Sequence, residues 1–430
     1  MLKNLATWSL ASWLAVSAPL SLGSESIDLQ EASRVNRWSS DLLQVTLGED
    51  GLRNTMISSV SMFYALSVLE AGALEESKEL LRELLLTDPS SGKPLGDIAT
   101  PLADALIFAP DDPESPSARF SLHNAAWSSN DRAGGKPFVF AQPFVELVAE
   151  AFDAQAYDLD FKATGASQAI NDWAEESTEG LIKKVIDDKT LRDFTWLITN
   201  AAYFEGSWAL PMRRVKSGSG FKFTTADGDA MEPTIVRAEQ LLRVVDHEDG
   251  SVTLSIPFRG GKYAMVLQLA PAQIAEISGW VRDVAIPRQS LVINRVFDVD
   301  APRVNARLRM PTFSFSDQLK MEANSPATEQ LGLSLLFSQD ADFMAMVDAE
   351  RTHPAALHTK VGLIQQDTRI ELDEKGVKAA AVTVIGGMIK STVARRPVEY
   401  RPIDADRPFV WSIVESASRT ALFSGVLATP

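Results

Sequence analysis

Four histidines, at positions 123, 247, 353 and 358, and a complete lack of cysteine bound the chemistry open to this chain of 430 residues. Without a thiol there is no cysteine nucleophile, disulfide, iron–sulfur cluster or cysteine-ligated zinc. The sequence also lacks a G-x-S-x-G elbow, an H-E-x-x-H helix, a P-loop and a G-x-G-x-x-G turn, the usual marks of serine hydrolases, metallopeptidases and nucleotide-binding enzymes. His353 and His358 flank a Pro-Ala-Ala stretch and read as two surface imidazoles rather than a metal pair, and Asp340 and Asp342 read as an acidic loop. No catalytic residue, metal or cofactor is expected.

The chemistry that does stand out is that of a substrate. After a strand-like run at 369–372 and the turn-forming Asp373-Glu374-Lys375-Gly376, the alternate positions Val377, Ala379, Ala381, Thr383 and Ile385 form an uncharged face of small and β-branched residues, competent for a buried strand. Gly386-Gly387 then opens a stretch with Lys390-Ser391 and Ala394-Arg395-Arg396-Pro397, which reads as an exposed loop offering basic residues to a protease. A buried-strand sequence joined directly to a bait loop is unusual for a connector.

The elements that must hold this segment follow from periodicity. Helical spacing predicts two helices over 54–87 that break near Gly72, a short helix within the Pro- and Asp-rich stretch at 102–108, and helices over 142–156, 166–186 (capped at Ser167 or Asn171) and 321–333. Strand-like runs occupy 194–204, 241–246, 252–258, 263–269, 307–315, 369–372, 409–414 and 421–427, with Gly260-Gly261 marking a hairpin. Helices crowd the first half and strands the second, without a repeat or an evident linker. The expected architecture is therefore α+β, one large domain over 24–430 with mostly antiparallel sheets. Apolar residues at 45% and charged residues at 23% fit a globular chain and exclude wholesale disorder. A net charge of -16 argues against nucleic acid and anionic membrane surfaces as partners.

Residues 1–23 read as a signal peptide: Lys3 supplies the basic front, an apolar run extends to Leu22, and Ser21-Leu22-Gly23 fits the small-x-small cleavage rule. Pro19 within the run argues against a membrane anchor. The expectation is a secreted protein, periplasmic or extracellular, with no membrane attachment after cleavage.

Several separated motifs together carry a resemblance. They are Asn54-Thr-Met-Ile-Ser-Ser-Val-Ser61, Ile170-Asn-Asp-Trp-Ala-Glu-Glu-Ser-Thr-Glu-Gly180, Ile198-Thr-Asn-Ala-Ala-Tyr-Phe-Glu-Gly-Ser-Trp208, Asp373-Glu-Lys-Gly-Val-Lys-Ala-Ala-Ala381, Ala405-Asp-Arg-Pro-Phe409 and Leu422-Phe-Ser-Gly425. In this order and spacing the chain resembles the serpins, the serine protease inhibitor family, from residue 34 to the C-terminus. The resemblance implies three β-sheets, about nine helices and a reactive-centre loop at about 374–397. A serine protease cleaves that loop as substrate, the acyl-enzyme forms, and the freed loop inserts into the central sheet, trapping the enzyme.

Carried over residue by residue, the resemblance assigns the hinge to Glu374, Gly376, Val377, Ala379, Ala380 and Ala381. The family's spacing from Glu374 places the scissile bond at Lys390–Ser391, suited to a trypsin-like pocket, with cleavage after Ala394 or Arg395 as the alternatives. Ser58, Ser61, Asn200 and Gln366 match the shutter beneath the central sheet, and Trp208 the breach where insertion starts. Ser59 departs from the usual proline and Gln366 from a common histidine; the amide can still donate and accept. The implied protein is a monomeric suicide inhibitor of trypsin-like serine proteases without a cofactor. The alternative is a non-inhibitory serpin acting as a carrier.

Overall fold

The computed structural model describes residues 29–86, 95–107, 118–131, 134–216, 220–377 and 398–430. Helix α1 (Leu29–Leu47) leads to strand β1 (Thr55–Ile57) and then to α2 (Ser59–Ala71) and α3 (Glu75–Leu85), the pair expected to break near Gly72. Ser58 caps α2, its hydroxyl accepting from the Ser61 amide at 3.2 Å. α2 buries residues on every side because it runs through the core, whereas α3 buries only Ser77, Leu81 and Leu85, one stripe at four-residue spacing.

Next come α4 (Gly96–Leu106) and β2 (Ala118–Ser129), a strand that its Ala, Ser and Asn content conceals in the sequence. Helix α5 (Gln142–Phe152) ends earlier than position 156 because Asp153 adopts a left-handed φ of 48°, and β3 (Ala154–Leu159) turns back to pair parallel with β2. α6 (Ala166–Ser177) is likewise shorter than 166–186. Asn171 does not cap it but lies inside it, accepting the amides of Val185 at 2.8 Å and Ile186 at 3.1 Å and so fastening the chain that follows.

The strands β4 (Trp196–Ser207), β5 (Arg213–Val215), β6 (Phe223–Thr224), β7 (Ala230–Met231), β8 (Ile235–Asp246), β9 (Val252–Pro257) and β10 (Tyr263–Leu269) follow. Gly260 and Gly261, with φ of 84° and 73°, close the β9–β10 hairpin. The run read as one strand over 307–315 is two strands in different sheets, β11 (Arg303–Pro311) and β12 (Phe313–Met321). Pro311 has no N–H to carry the first ladder further, and the Thr312 amide turns to Thr234 O at 2.9 Å. β12 continues to Met321, so the helix expected over 321–333 shrinks to Pro326–Gln330, capped by Ser325. The chain closes with β13 (Ile364–Leu372), β14 (Gly376–Val377), β15 (Arg401–Asp404), β16 (Phe409–Glu415) and β17 (Ala421–Leu427).

The architecture is α+β around three sheets. A six-stranded sheet has the order β12-β13-β14-β4-β2-β3; a nine-stranded one runs β1-β17-β16-β10-β9-β8-β11-β15 with β5 on β8; β6 and β7 form a ribbon. The two large sheets share one apolar core, joined by α2, which packs on β4 and β17, and by the edge contact of Phe120 with Phe423 at 6.1 Å. That arrangement sets the centre of the six-stranded sheet directly over α2.

Candidate functional site

At the centre of this sheet β13 and β4 run parallel, each antiparallel to the two-residue β14 between them. Val377 stands opposite Leu372 on one side and Gly206 on the other, and Gly376 opposite Ser207. Further along, among the described residues, no ladder joins β4 to β13. Their facing edges instead border a cavity of about 510 Å³ whose walls include Ser61 and Leu66 of α2, Ile198 and Asn200 of β4, and Ile364 and Gln366 of β13. The sheet is thus closed at one end by a wedge, and beyond it no described strand pairs with the facing edges of β4 and β13.

The wedge is held from several directions. In the turn before it, Asp373 Oδ1 accepts the amides of Lys375 at 2.8 Å and Gly376 at 3.3 Å, and the Asp373 amide donates to Gly376 O at 3.0 Å. Trp208 Nε1 donates to Asp373 O and the Trp208 amide to Lys375 O, both at 2.9 Å, while its ring stacks on Phe258 at 4.7 Å. Arg214 of β5 reaches Glu374 at 3.3 Å. A Cβ on Gly376 would lie 1.9 Å from Gly206 O, so only glycine lets the two backbones meet here. Beside it, Glu205 accepts from Tyr203 Oη at 3.1 Å and pairs with Arg119 at 3.2 Å. Burial pushes the Tyr203 phenol up, and the neighbouring Glu205 charge adds to the effect.

Beneath the open part lies a chain of polar side chains in an otherwise apolar floor. The Ser58 amide donates to Gln366 Oε1 at 2.9 Å and Gln366 Nε2 donates to Ser58 O at 2.8 Å. The Ser58 hydroxyl donates to Leu422 O at 2.8 Å, which ties the network to β17. Ser61 Oγ donates to Asn200 Oδ1, Asn200 Nδ2 to Asn124 Oδ1, and Asn124 Nδ2 to Phe152 O at 2.8 Å. Ser59, at the first position of α2, donates to Ala421 O at 3.2 Å. The network ties α2, β2, β4, β13 and β17 together through buried side-chain donors and acceptors.

A family model described as serpin (serine protease inhibitor) matches residues 33–430. The chain belongs to the serpin family. Wheat Serpin-Z2A (Triticum aestivum) is 27% identical over 402 residues, covering 89% of this chain and 91% of that protein. Serpin-Z4 of Arabidopsis thaliana is 26% identical over 397 residues, covering 88% and 92%. Among solved structures, the thermophilic serpin tengpin in its native state superposes with a TM-score of 0.73 at 20% identity, covering 95% of this chain and 96% of tengpin. Thyroxine-binding globulin complexed with thyroxine gives 0.74 at 18% identity, covering 93% and 99%. These structures establish the fold, and members of the family are generally protease inhibitors rather than enzymes.

In this serpin the structure brings Ser58, Ser61, Asn200 and Gln366 into one place under the sheet, and Trp208, Glu374, Gly376 and Val377 into another at its closed end. Ala379, Ala380, Ala381, Lys390, Ser391, Ala394 and Arg395, like the leader at 1–23, lie outside the described residues. Arg214, in the sequence one half of a basic dipeptide that reads as a solvated loop or a protease site, lies in β5 and pairs with Glu374; Asn124, Arg119, Glu205 and Phe258 were missed. Asn124 sits on the strand that composition conceals, and the others become relevant only through cross-strand register. His353, one of the loop pair, accepts the Ala355 amide at 3.1 Å and so starts a short 3-10 turn.

Proposed function

We propose that this serpin is an exported suicide-substrate inhibitor of trypsin-like serine proteases, cut at Lys390–Ser391. The observation that carries the reading is the wedge: Val377 sits between β13 and β4, at the head of a slot that no ladder crosses among the described residues. Extending its register, Ala379 meets Ile370 and Phe204, Thr383 meets Gln366 and Asn200, and Ile385 meets Ile364 and Ile198. The polar Thr383 thus falls at the level of the polar floor, Ala379 and Ile385 fall on apolar neighbours, and the small Ala381 falls between Thr368 and Ala202. No proline or charge lies on this inserting face. About nine further paired positions at roughly 0.5–1.5 kcal/mol per hydrogen bond supply on the order of 10 kcal/mol, enough to compete with the ordered active site of a bound protease. In the proposed sequence the protease serine attacks the Lys390 carbonyl, the Ser391 amine leaves, and insertion carries the acyl-enzyme away before water can release it.

A carrier role is the second reading, favoured by the cavity and by the likeness in fold to thyroxine-binding globulin. Incubation of the mature protein with trypsin separates the two. A denaturant-stable band at the summed mass, with a released peptide beginning at Ser391, is expected for the inhibitor; complete loop cleavage without that band would overturn it in favour of the carrier. Recovery of a chain beginning at Ser24 from the exporting cell tests the leader.

A further inference from the structure

The outer face of the β5–β8–β11 ladder is basic on a protein whose net charge is -16. Arg213 of β5 stands opposite Arg237 of β8, which stands opposite Arg309 of β11; at the far end of the same ladder Arg243 stands opposite Arg303. Like charges directly opposite each other in a sheet are destabilising, and here two such rows occur in one ladder. Counter-charges are few. Glu239 bridges Arg237 and Arg307, both at 2.8 Å, and Asp404 pairs with Arg309 at 2.7 Å. Arg213, Arg243 and Arg303 pair with no carboxylate among the described residues.

The two rows are six residues apart, about 20 Å along the strands. Between them Leu241 is 54% exposed, an apolar side chain in the middle of a charged face. A polysulfate or polyphosphate would use the arginines alone, whereas arginines beside the Tyr400 ring and an exposed apolar side chain also offer the contacts of a protein-binding surface. The face also adjoins the bait. Glu374, ahead of the undescribed residues 378–397, is gripped by Arg214 of β5; just past them, Arg401 of β15 pairs with Ala306 of β11, and Arg307 lies over the Tyr400 ring at 5.9 Å. A protein engaged on the segment between these anchors approaches beside the arginine rows.

We infer that this face docks an acidic surface of the target protease and steers its approach to the loop. The inference rests on the reading that a trypsin-like enzyme attacks the loop, and it adds that the physiological enzyme carries negative charge next to its active site. Steering of this kind acts on the association rate and fades as salt rises.

The test measures binding of the full chain to anionic and cationic trypsins whose catalytic serine is replaced by alanine, at about 20 mM and about 500 mM salt. R243E/R303E is expected to weaken binding to the anionic enzyme about tenfold or more at low salt, to leave the cationic enzyme unweakened, and to lose its effect at high salt. R303E alone puts opposite charges across the ladder at Arg243, so it should slow association without lowering the melting temperature, a combination that a misfolded variant cannot give. Equal affinity of wild type and both variants for the anionic enzyme, or no binding of it by the wild type, overturns the inference. So does retention on a sulfated polysaccharide at about 150 mM salt that R243E/R303E abolishes while trypsin binding is unchanged. Covalent complex formation with active trypsin is read separately, so failure of the inhibitory reading leaves a distinct signature.

Discussion

Gln366 and Ser58 exchange two hydrogen bonds, the Ser58 amide to Oε1 at 2.9 Å and Nε2 back to Ser58 O at 2.8 Å. One side-chain amide thereby does for the start of α2 what a neighbouring strand would do, and it ties β13 to that helix. Gln366→Ala leaves the Ser58 amide buried without its partner, at a cost of about 1–3 kcal/mol, while Ser58 O keeps the Met62 amide at 3.1 Å. We expect Gln366→Ala to lose about 1–3 kcal/mol in urea unfolding followed by fluorescence. A loss no greater than that of an exposed alanine substitution would show that the amide is replaceable by water. Unlike an imidazole the amide does not titrate, so the bond is indifferent to pH.

Gly376→Ala tests the wedge. The added Cβ would meet a backbone oxygen, Gly206 O, at 1.9 Å, and no side-chain rotation relieves that. The expected result is release of β14 from the sheet, seen as faster amide exchange at Val377 and Ser207, and a shift from covalent complex towards cleaved serpin when the protein meets trypsin. Unaltered exchange and complex yield would mean that the strands part at little cost.

The strands that carry the site differ in how far the sequence reveals them. β10 and β17 match their expected spans because runs of mostly apolar residues, broken only by Gln268 and by Ser424-Gly425, are buried on both faces. β13 shows only its last residues, 369–372, since Gln365, Gln366 and Asp367 at its start are polar on both faces. Gln366 points into the polar floor and Gln365 Nε2 reaches Val185 O at 2.8 Å on the opposite side, so function rather than burial sets those residue types. β2 was invisible for a similar reason: Asn124 is buried at the floor, where only its side-chain bonds to Asn200 and Phe152 justify it. The basic face was hidden too, because its arginines come from strands separated by long stretches of chain and no single helix carries a stripe. Local pattern reports the halves of a site that obey ordinary packing; cross-strand register is needed for the rest.

Acid stability should carry the mark of Asp249. Partial burial raises its carboxyl, but the Ser251 hydroxyl and amide, Trp280 Nε1 at 3.3 Å and Arg288 at 3.0 Å overcome this and hold it at about 2, against an ordinary 3.8. Because the folded value lies below the unfolded one, the stability it contributes is complete above about 3.8 and is lost as pH falls through about 2. Asp249→Asn should therefore melt below the wild type at pH 6, and the gap should close on titration towards pH 2. A gap that stays constant with pH would assign the difference to packing.

The charge at Lys378 offers the sharpest test of the insertion register. In the inserted strand proposed above, the pairing of Val377 with Leu372 and Gly206 places the next residue, Lys378, between Glu371 of β13 and Glu205 of β4. Glu205 is buried against Arg119 and Tyr203, and Glu371 lies on the same outer side of the sheet, paired with Arg369 at 2.7 Å. A lysine arriving between two carboxylates gains charge-assisted hydrogen bonds worth about 1.5 kcal/mol or more, roughly tenfold in the competition between insertion and release of the protease. Lys378→Glu brings a third carboxylate to the same level, so insertion should slow and trypsin should emerge active with most of the serpin cleaved. Adding Glu371→Lys to Lys378→Glu, at the more exposed of the two carboxylate positions, restores opposite charges across that one step of the ladder and should recover much of the covalent complex on a denaturing gel. Recovery specific to this pair, absent when Lys378→Glu is combined with Glu399→Lys outside the slot, would fix the register of the inserted strand; equal behaviour of all the variants would mean that the strand inserts in another register.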